Sequence, residues 1–343
     1  MENSKKEQQQ SEQQTYIHTQ SPHSSSIIQL EPEIQKALIF DINHQEYGLP
    51  LTPTKFFPQL QYQPKDFGIL DQFPIKEKLY SVQLSPTVIY LTSHEETDQQ
   101  IIRKSIMKNK LLNDVQIQYA RQECTIQSLL KHENIVELYH YTENDQEITL
   151  LMEYCNDANY FEDRIENSLE PIEDMEKLQQ YGQDILHALN YLHTNGYIHS
   201  DMKIQNALLN RNEEEGDDIP IVKLCDFGLS HVIKPELNGK ALMIEKCGTH
   251  GYIAPEIQAK NSLVGPEIDM WGFGVMLYEM CTAYKPTKLQ NYRYGSGPIP
   301  FRDRDWRKVN KHIKDLIIQC LQTDPSKRIS SQDALQHPWF GSE

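Results

Sequence analysis

The sequence predicts an α+β fold in which a strand-rich unit carrying one helix precedes a larger, mainly helical unit. Three observations predict it. Strand-like apolar runs cluster between residues 79 and 154, broken by a single helical pattern. From residue 175 onward, apolar residues recur with helical spacing. Residues 268–281, Ile-Asp-Met-Trp-Gly-Phe-Gly-Val-Met-Leu-Tyr-Glu-Met-Cys, are apolar nearly all round, the mark of a helix buried inside a core rather than lying on it.

In chain order, residues 1–30 read as a disordered tail. Gln8-Gln9-Gln10 and Ser24-Ser25-Ser26 dominate it, and so few large apolar residues cannot offset the entropy of ordering. Residues 31–75 turn to proline and aromatics (Phe56, Phe57, Pro58, Pro64, Phe67, Phe73, Pro74) and read as extended chain, packed on a neighbouring unit or serving as a linker. Strands are expected at Leu79–Leu84, Thr87–Leu91, Ile101–Ile106, Ile135–Tyr141 and Ile148–Tyr154, with a helix over Val115–Leu130. Met175, Leu178, Tyr181, Ile185, Leu189 and Leu192 then predict a helix that Asn195-Gly196 stops. Ile313, Leu316, Ile317, Cys320 and Leu321 predict another.

Bulk properties narrow the function classes. The net charge is −16, from 33 basic and 49 acidic residues in 343. Binding to nucleic acid or to an anionic membrane needs excess Lys and Arg, so both are disfavoured. The acidity fits solubility, and it fits basic partners. Six cysteines at 124, 155, 225, 247, 281 and 320 form no C-x-x-C pair, which suggests buried thiols in a reducing compartment rather than a zinc site. The N-terminus has no apolar signal core, and no apolar run approaches membrane-spanning length; the expected address is cytosol or nucleus. Oligomeric state is not legible.

The chemistry-bearing stretch is His199-Ser200-Asp201-Met202-Lys203-Ile204-Gln205-Asn206, with Asp226-Phe227-Gly228 beginning 20 residues after Asn206. Phosphoryl transfer needs an aligned hydroxyl, neutralised phosphate charge and metal held by oxygen ligands. Asp201 could accept or orient a hydroxyl proton, Lys203 could steady the transferring group, and Asn206 and Asp226 offer the hard oxygens that Mg²⁺ prefers.

On these residues the chain resembles the eukaryotic protein kinase family, in its catalytic loop and its Asp-Phe-Gly. Further matches are Cys247-Gly248-Thr249-His250-Gly251-Tyr252-Ile253-Ala254-Pro255-Glu256 at the end of the activation segment, Asp269-Met270-Trp271-Gly272-Phe273-Gly274 in the helix that braces the catalytic loop, and Asp324-Pro325-Ser326-Lys327-Arg328-Ile329. The closing His337-Pro338-Trp339-Phe340 is similar to the end of calmodulin-kinase-like catalytic domains.

The resemblance spans roughly 79–340. It implies a two-lobed kinase fold over 76–340, with a small antiparallel-sheet lobe with one helix (about 76–153) plus a larger mainly helical lobe (about 156–340). It implies ATP and Mg²⁺ as cofactors and protein Ser/Thr hydroxyls as acceptors, the latter from Lys203 and Thr249. Lys104, of Ile101-Ile102-Arg103-Lys104, would hold the α- and β-phosphates. Glu123, nine residues before His132 of His132-Glu133-Asn134-Ile135-Val136, would be its partner. Met152 would guard the back of the nucleotide pocket, Ile102 would lie on the adenine face, and the backbone of Glu153 and Cys155 would bond the base. Val82, Ile89 and Leu208 would complete the nucleotide site. Glu256 would pair with Arg328.

Three departures stand out. Val82, Leu84 and Thr87 occupy the places of three phosphate-covering glycines, where side chains should hold the loop off the phosphates. Ile102 replaces an alanine. Ser200 replaces the Arg that in the family often pairs with a phosphorylated activation-loop residue, and 231–248 contain no Ser, Thr or Tyr. The expectation is a kinase independent of activation-loop phosphorylation. The alternative expectation is a scaffold that keeps the fold and barely turns over nucleotide.

Overall fold

The computed structural model describes residues 67–341 except 212–218, 244–247, 258–261, 289–292, 294–296 and 308. The expected tail at 1–30, most of the proline and aromatic stretch and Cys247 therefore lie outside the described residues.

Two lobes form as a strand-rich and a helical half. The small lobe is a five-stranded antiparallel sheet of β1 (Ile75–Ser81), β2 (Thr87–Ser93), β3 (Gln100–Met107), β4 (Leu138–Glu143) and β5 (Glu147–Glu153), in the order β1-β2-β3-β5-β4. Helix α1 (Asp114–Leu129) packs on β4 and β5. Asn113 starts it, its side chain accepting from the N–H of Gln116 at 3.0 Å. Between β5 and α1 lies a cluster of Ile106, Ala120, Cys124, Val136, Leu138, Ile148 and Leu150. Leu70 and Phe73, in and just after a 3₁₀ turn at Phe67–Gln72, pack on Ile101 and Leu151.

The first strand differs from expectation. It runs Ile75–Ser81 rather than Leu79–Leu84. Residues 82–86 form the turn into β2, closed by a bond from the Ser85 N–H to the Val82 carbonyl at 3.0 Å. Apolar Val82 and Leu84 mimicked a strand, and Pro86, which has no N–H to give a ladder, marks where pairing lapses. The fourth strand also begins later, at Leu138, because Val136 bonds the Leu224 carbonyl of the large lobe instead.

The large lobe is built on α2 (Met175–Thr194) and α3 (Glu267–Thr282). Helix α3 is the predicted core helix, with every residue from Ile268 to Thr282 buried. Short strand pairs lie on α2: β6 (Tyr197–Ile198) with β9 (His231–Val232), and β7 (Ala207–Asn210) with β8 (Ile221–Leu224). A third pair joins β10 (Ala241–Met243) to β11 (Ser262–Val264). Helices α4 (Asp303–Trp306), α5 (Lys311–Cys320) and α6 (Ser331–Leu335) close the lobe, α5 and α4 against α3 and α6 against α2.

Candidate active site

The turn after β6 carries the chemistry-bearing residues. Ser200 sits in the left-handed region with φ 69°, a strained backbone for a residue with a Cβ. The Asp269 carboxylate holds it there. It accepts the backbone N–H groups of His199 and Ser200, both at 2.8 Å, and lies 3.0 Å from His193 Nε2. Such charge-assisted bonds offset the strain. One turn along α3, Gly272 lets the loop approach: a Cβ there would stand 2.6 Å from Met202 Cβ and 3.1 Å from its carbonyl oxygen.

Both oxygens of Asp201 are held. Oδ1 accepts from the Thr249 N–H at 3.0 Å and its hydroxyl at 2.8 Å. Oδ2 lies 2.7 Å from Lys203 Nζ and 3.3 Å from Asn206 Nδ2, which also donates to the Asp201 carbonyl at 2.9 Å. Lys203 reaches on to Thr249 Oγ1 at 3.1 Å. Burial lowers the Lys203 ammonium's affinity for its proton, and the charge and hydrogen bond of Asp201 together with the Asp226 charge outweigh it, so the pKa is raised.

Across the cleft, Lys104 of β3 stands between two carboxylates, 2.6 Å from Glu123 Oε1 of α1 and 2.8 Å from Asp226 Oδ1. The Lys104 charge holds the Asp226 carboxyl well below the usual range. Burial raises the Glu123 pKa, and Lys104 partly counters it. The two carboxylates together outweigh burial at Lys104 and keep its proton on. Next to Asp226, Phe227 is buried against His199, ring centroids 5.0 Å apart. Gln122 ties α1 to the same turn, bonding the Ser230 carbonyl at 3.0 Å.

Ile102, Met152, Cys155 and Leu208 gather in one apolar cluster under the sheet. Val82 and Ile89 stand outside it: Val82 is 43% exposed in the turn, and Ile89 sits opposite Lys104 in the β2–β3 register. The Glu153 N–H bonds the Glu137 carbonyl at 2.9 Å, and its carboxylate lies 3.0 Å from Lys223, so the Glu153 N–H and side chain are both already engaged. The glycine-less turn is clamped from behind by Lys110, which donates to the carbonyls of Gln83 (3.2 Å) and Ser85 (3.0 Å).

Behind the catalytic turn, Ser200 Oγ lies 2.9 Å from Nδ1 of buried His231. Burial brings the His231 pKa down to about 4. No motif marks His231 in the sequence; the serine at 200, standing where a cation would receive phosphate, was the signal that its partner need not be an anion. At the far end of the segment, Arg328 forks onto Glu256, Nη1 to Oε1 at 2.6 Å and Nη2 to Oε2 at 3.0 Å, the pairing expected from sequence.

A protein kinase domain model matches residues 85–340. The chain belongs to the protein kinase family. Over 255 residues it is 33% identical to the human (Homo sapiens) serine/threonine-protein kinase DCLK3, covering 72% of this chain and 37% of that protein. It is 30% identical over 250 residues to CBL-interacting serine/threonine-protein kinase 3 of Arabidopsis thaliana (72% and 54%). It is 30% identical over 259 residues to human calcium/calmodulin-dependent protein kinase type IV (74% and 51%). The chain thus spans about a third to a half of the length of these relatives.

The cofactors of the protein kinase family are ATP and Mg²⁺, and the donor set here fits them. Asp226 keeps an ionised carboxylate on a side chain that is 44% exposed. Asn206 spends its amide N–H on Asp201, which leaves its amide oxygen for a ligand. Both are hard oxygen donors of the kind Mg²⁺ takes. Lys104 would supply a positive charge for phosphate, held between Glu123 and Asp226. The turn at 82–86 and the start of β2, with Val82, Leu84 and Thr87, have no glycine through which the backbone could close on the phosphates, and fit nucleotide less well than this donor set does.

Proposed function

We propose that this chain is a serine/threonine protein kinase of the cytosol or nucleus that moves the γ-phosphoryl group of Mg-ATP to protein hydroxyls, without needing a phosphate on its activation segment. The observation that carries the reading is the double anchoring of Asp201 by Thr249 on one oxygen and by Lys203 and Asn206 on the other. A carboxylate so held is aimed rather than free, and aim is most of what phosphoryl transfer asks of a protein.

In this reading Asp201 orients the acceptor hydroxyl and takes its proton, while Lys203 balances charge on the transferring group. Lys104 anchors the nucleotide phosphates and Glu123 positions Lys104. Asn206 and Asp226 would hold Mg²⁺, which supplies charge neutralisation at the phosphates when bound. Ile102, Met152 and Leu208 would line the adenine site. The Lys203–Thr249 bridge supports a Ser/Thr acceptor, because it ties the catalytic loop to the segment on which the peptide lies.

Independence from phosphorylation is supported at His231. A phosphate receiver needs cations, and here a hydroxyl faces a neutral imidazole. The hydroxyls flanking 231–248 are also committed: Ser230 and Tyr252 are buried, and Thr249 bonds Asp201.

The test is a transfer assay with Mg-ATP and a general protein substrate, run on phosphatase-treated protein beside Asp201→Asn. Transfer by the treated wild type and its loss in the variant are the expected results. Transfer that disappears on phosphatase treatment would overturn the phosphate-free reading. A thermal shift by Mg-ATP without any transfer would favour a scaffold instead.

A further inference from the structure

A charged cluster beside the acceptor site has no part in the chemistry above. Glu279, in the last turn of α3, is buried, and so is its side chain. Glu166 comes from a π-helical turn at Glu162–Asn167. Lys285 lies between them, its ammonium 3.1 Å from Glu279 Oε1 and 3.5 Å from Glu166 Oε1. It also sits 4.5 Å from the centroid of the Tyr252 ring, and the Tyr252 hydroxyl donates to the other Glu279 oxygen. The left-handed turn at Ala283 (φ 59°), which ends α3, brings Lys285 back over the segment.

This recess adjoins the place where a peptide must lie. Tyr252 follows Thr249, which bonds Asp201, by three residues. Gly251 backs onto the lysine stem; a Cβ there would stand 3.0 Å from Lys285 Cδ. On the other side, Glu162 of the same π-helical turn is near enough to the catalytic loop for the Lys203 charge to act on it.

Buried carboxylates require a counter-charge. It could come from a basic side chain of the substrate or from the protein. We propose that Lys285 is a specificity-determining residue that fills the Glu166–Glu279 recess, so that this kinase takes acceptor peptides with no basic side chain at that subsite. A second cation brought within a few ångströms of Lys285 would be repelled, and the recess offers it no unpaired charge in return. The overall acidity of the chain suggested basic partners; at this subsite both carboxylates already have the Lys285 ammonium against them. The inference rests on the phosphotransfer reading and names the substrate class of that site.

The experiment uses serine peptides identical except for one arginine walked through the five positions on either side of the acceptor, with an all-alanine reference. Wild type, Lys285→Ala and Lys285→Ala/Glu279→Gln are compared. In wild type, the kcat/KM ratio of arginine to reference peptide should stay near or below one at the position that faces the recess. In Lys285→Ala it should rise roughly tenfold at one position, since a guanidinium gains a charge-assisted bond to a buried carboxylate. Adding Glu279→Gln should cancel the rise, and Glu162→Gln in its place should not. Lys285→Met, which keeps the stem over Tyr252, serves should the alanine variant fail to fold.

Fluorescence anisotropy with the same peptides reads the recess without turnover. If wild type binds peptides and transfers nothing, the phosphotransfer reading falls and the binding ratios still decide the role of Lys285. The absence of any position at which Lys285→Ala raises the arginine ratio, or a rise that Glu279→Gln does not cancel, would overturn the proposal.

Discussion

Lys104 Nζ lies 2.6 Å from Glu123 and 2.8 Å from Asp226, so a single ammonium joins the helix of the small lobe to the Asp-Phe-Gly turn of the large one. Glu123 is 3% exposed. Removing its partner leaves a buried carboxylate uncompensated, which costs about 3–5 kcal/mol, whereas replacing both members by apolar groups is often neutral. Lys104→Met should therefore lower stability by that order and abolish transfer. Lys104→Met/Glu123→Leu should regain most of the stability and none of the transfer, as read by urea unfolding beside a phosphorylation assay.

Asp201→Asn keeps the volume but removes the carboxylate, and its amide nitrogen can no longer accept from Thr249 on one side or from Lys203 and Asn206 on the other. Transfer should fall by roughly 10²–10⁴-fold, the usual range for a positioned general base. The thermal shift produced by Mg-ATP should persist, because Lys104, Asn206 and Asp226 are untouched. A loss of both would move Asp201 from proton handling to nucleotide binding.

The turn at 82–86 should limit nucleotide affinity. Restoring glycine at Val82, Leu84 and Thr87 frees the backbone to approach phosphate, and the KM for ATP should fall severalfold. The same changes cost about 0.5–1 kcal/mol each in backbone entropy. Steady-state kinetics and a melting curve on the triple variant separate the two effects. Lys110→Ala, which releases the carbonyls of Gln83 and Ser85, should move KM in the same direction by a smaller amount.

His231 links stability to acid. Its folded pKa is about 4 against 6.5 for a free imidazole. Between those values the unfolded chain binds the proton and the folded chain does not, so stability is full above about pH 6.5 and drains as pH falls toward 4. The drain amounts to about 3 kcal/mol. In His231→Gln that part of the slope should vanish, measured as unfolding free energy against pH beside the wild type.

Gly272→Ala should act on the catalytic turn at a distance from any ligand. The added Cβ would meet Met202 at 2.6 Å, so either α3 or the loop must shift. Overpacking of this kind costs about 1–3 kcal/mol. The drop should appear mainly in kcat, since Met202 adjoins Asp201, with the KM for ATP nearly unchanged.

Much of this protein was determined by local sequence. The buried helix at 268–281, the strands from Thr87 to Glu153 and the order of the phosphoryl-transfer motifs follow from periodicity and spacing, which depend on near neighbours in the chain. What failed locally were places where a distant partner decides. Val82 and Leu84 have strand-like side chains and became a turn. Ile135 and Val136 look like strand and are claimed by Leu224 of the other lobe. Only the tertiary structure brings Ser200 to His231, 31 residues on, and seats Lys285 between Glu166 and Glu279. Buried charge and buried hydrogen-bonding groups are matched across space, because in a low-dielectric interior an unmatched group is expensive wherever it falls in the chain. Motif spacing therefore disclosed the family, and the fold alone assigned the counter-charges around its motifs.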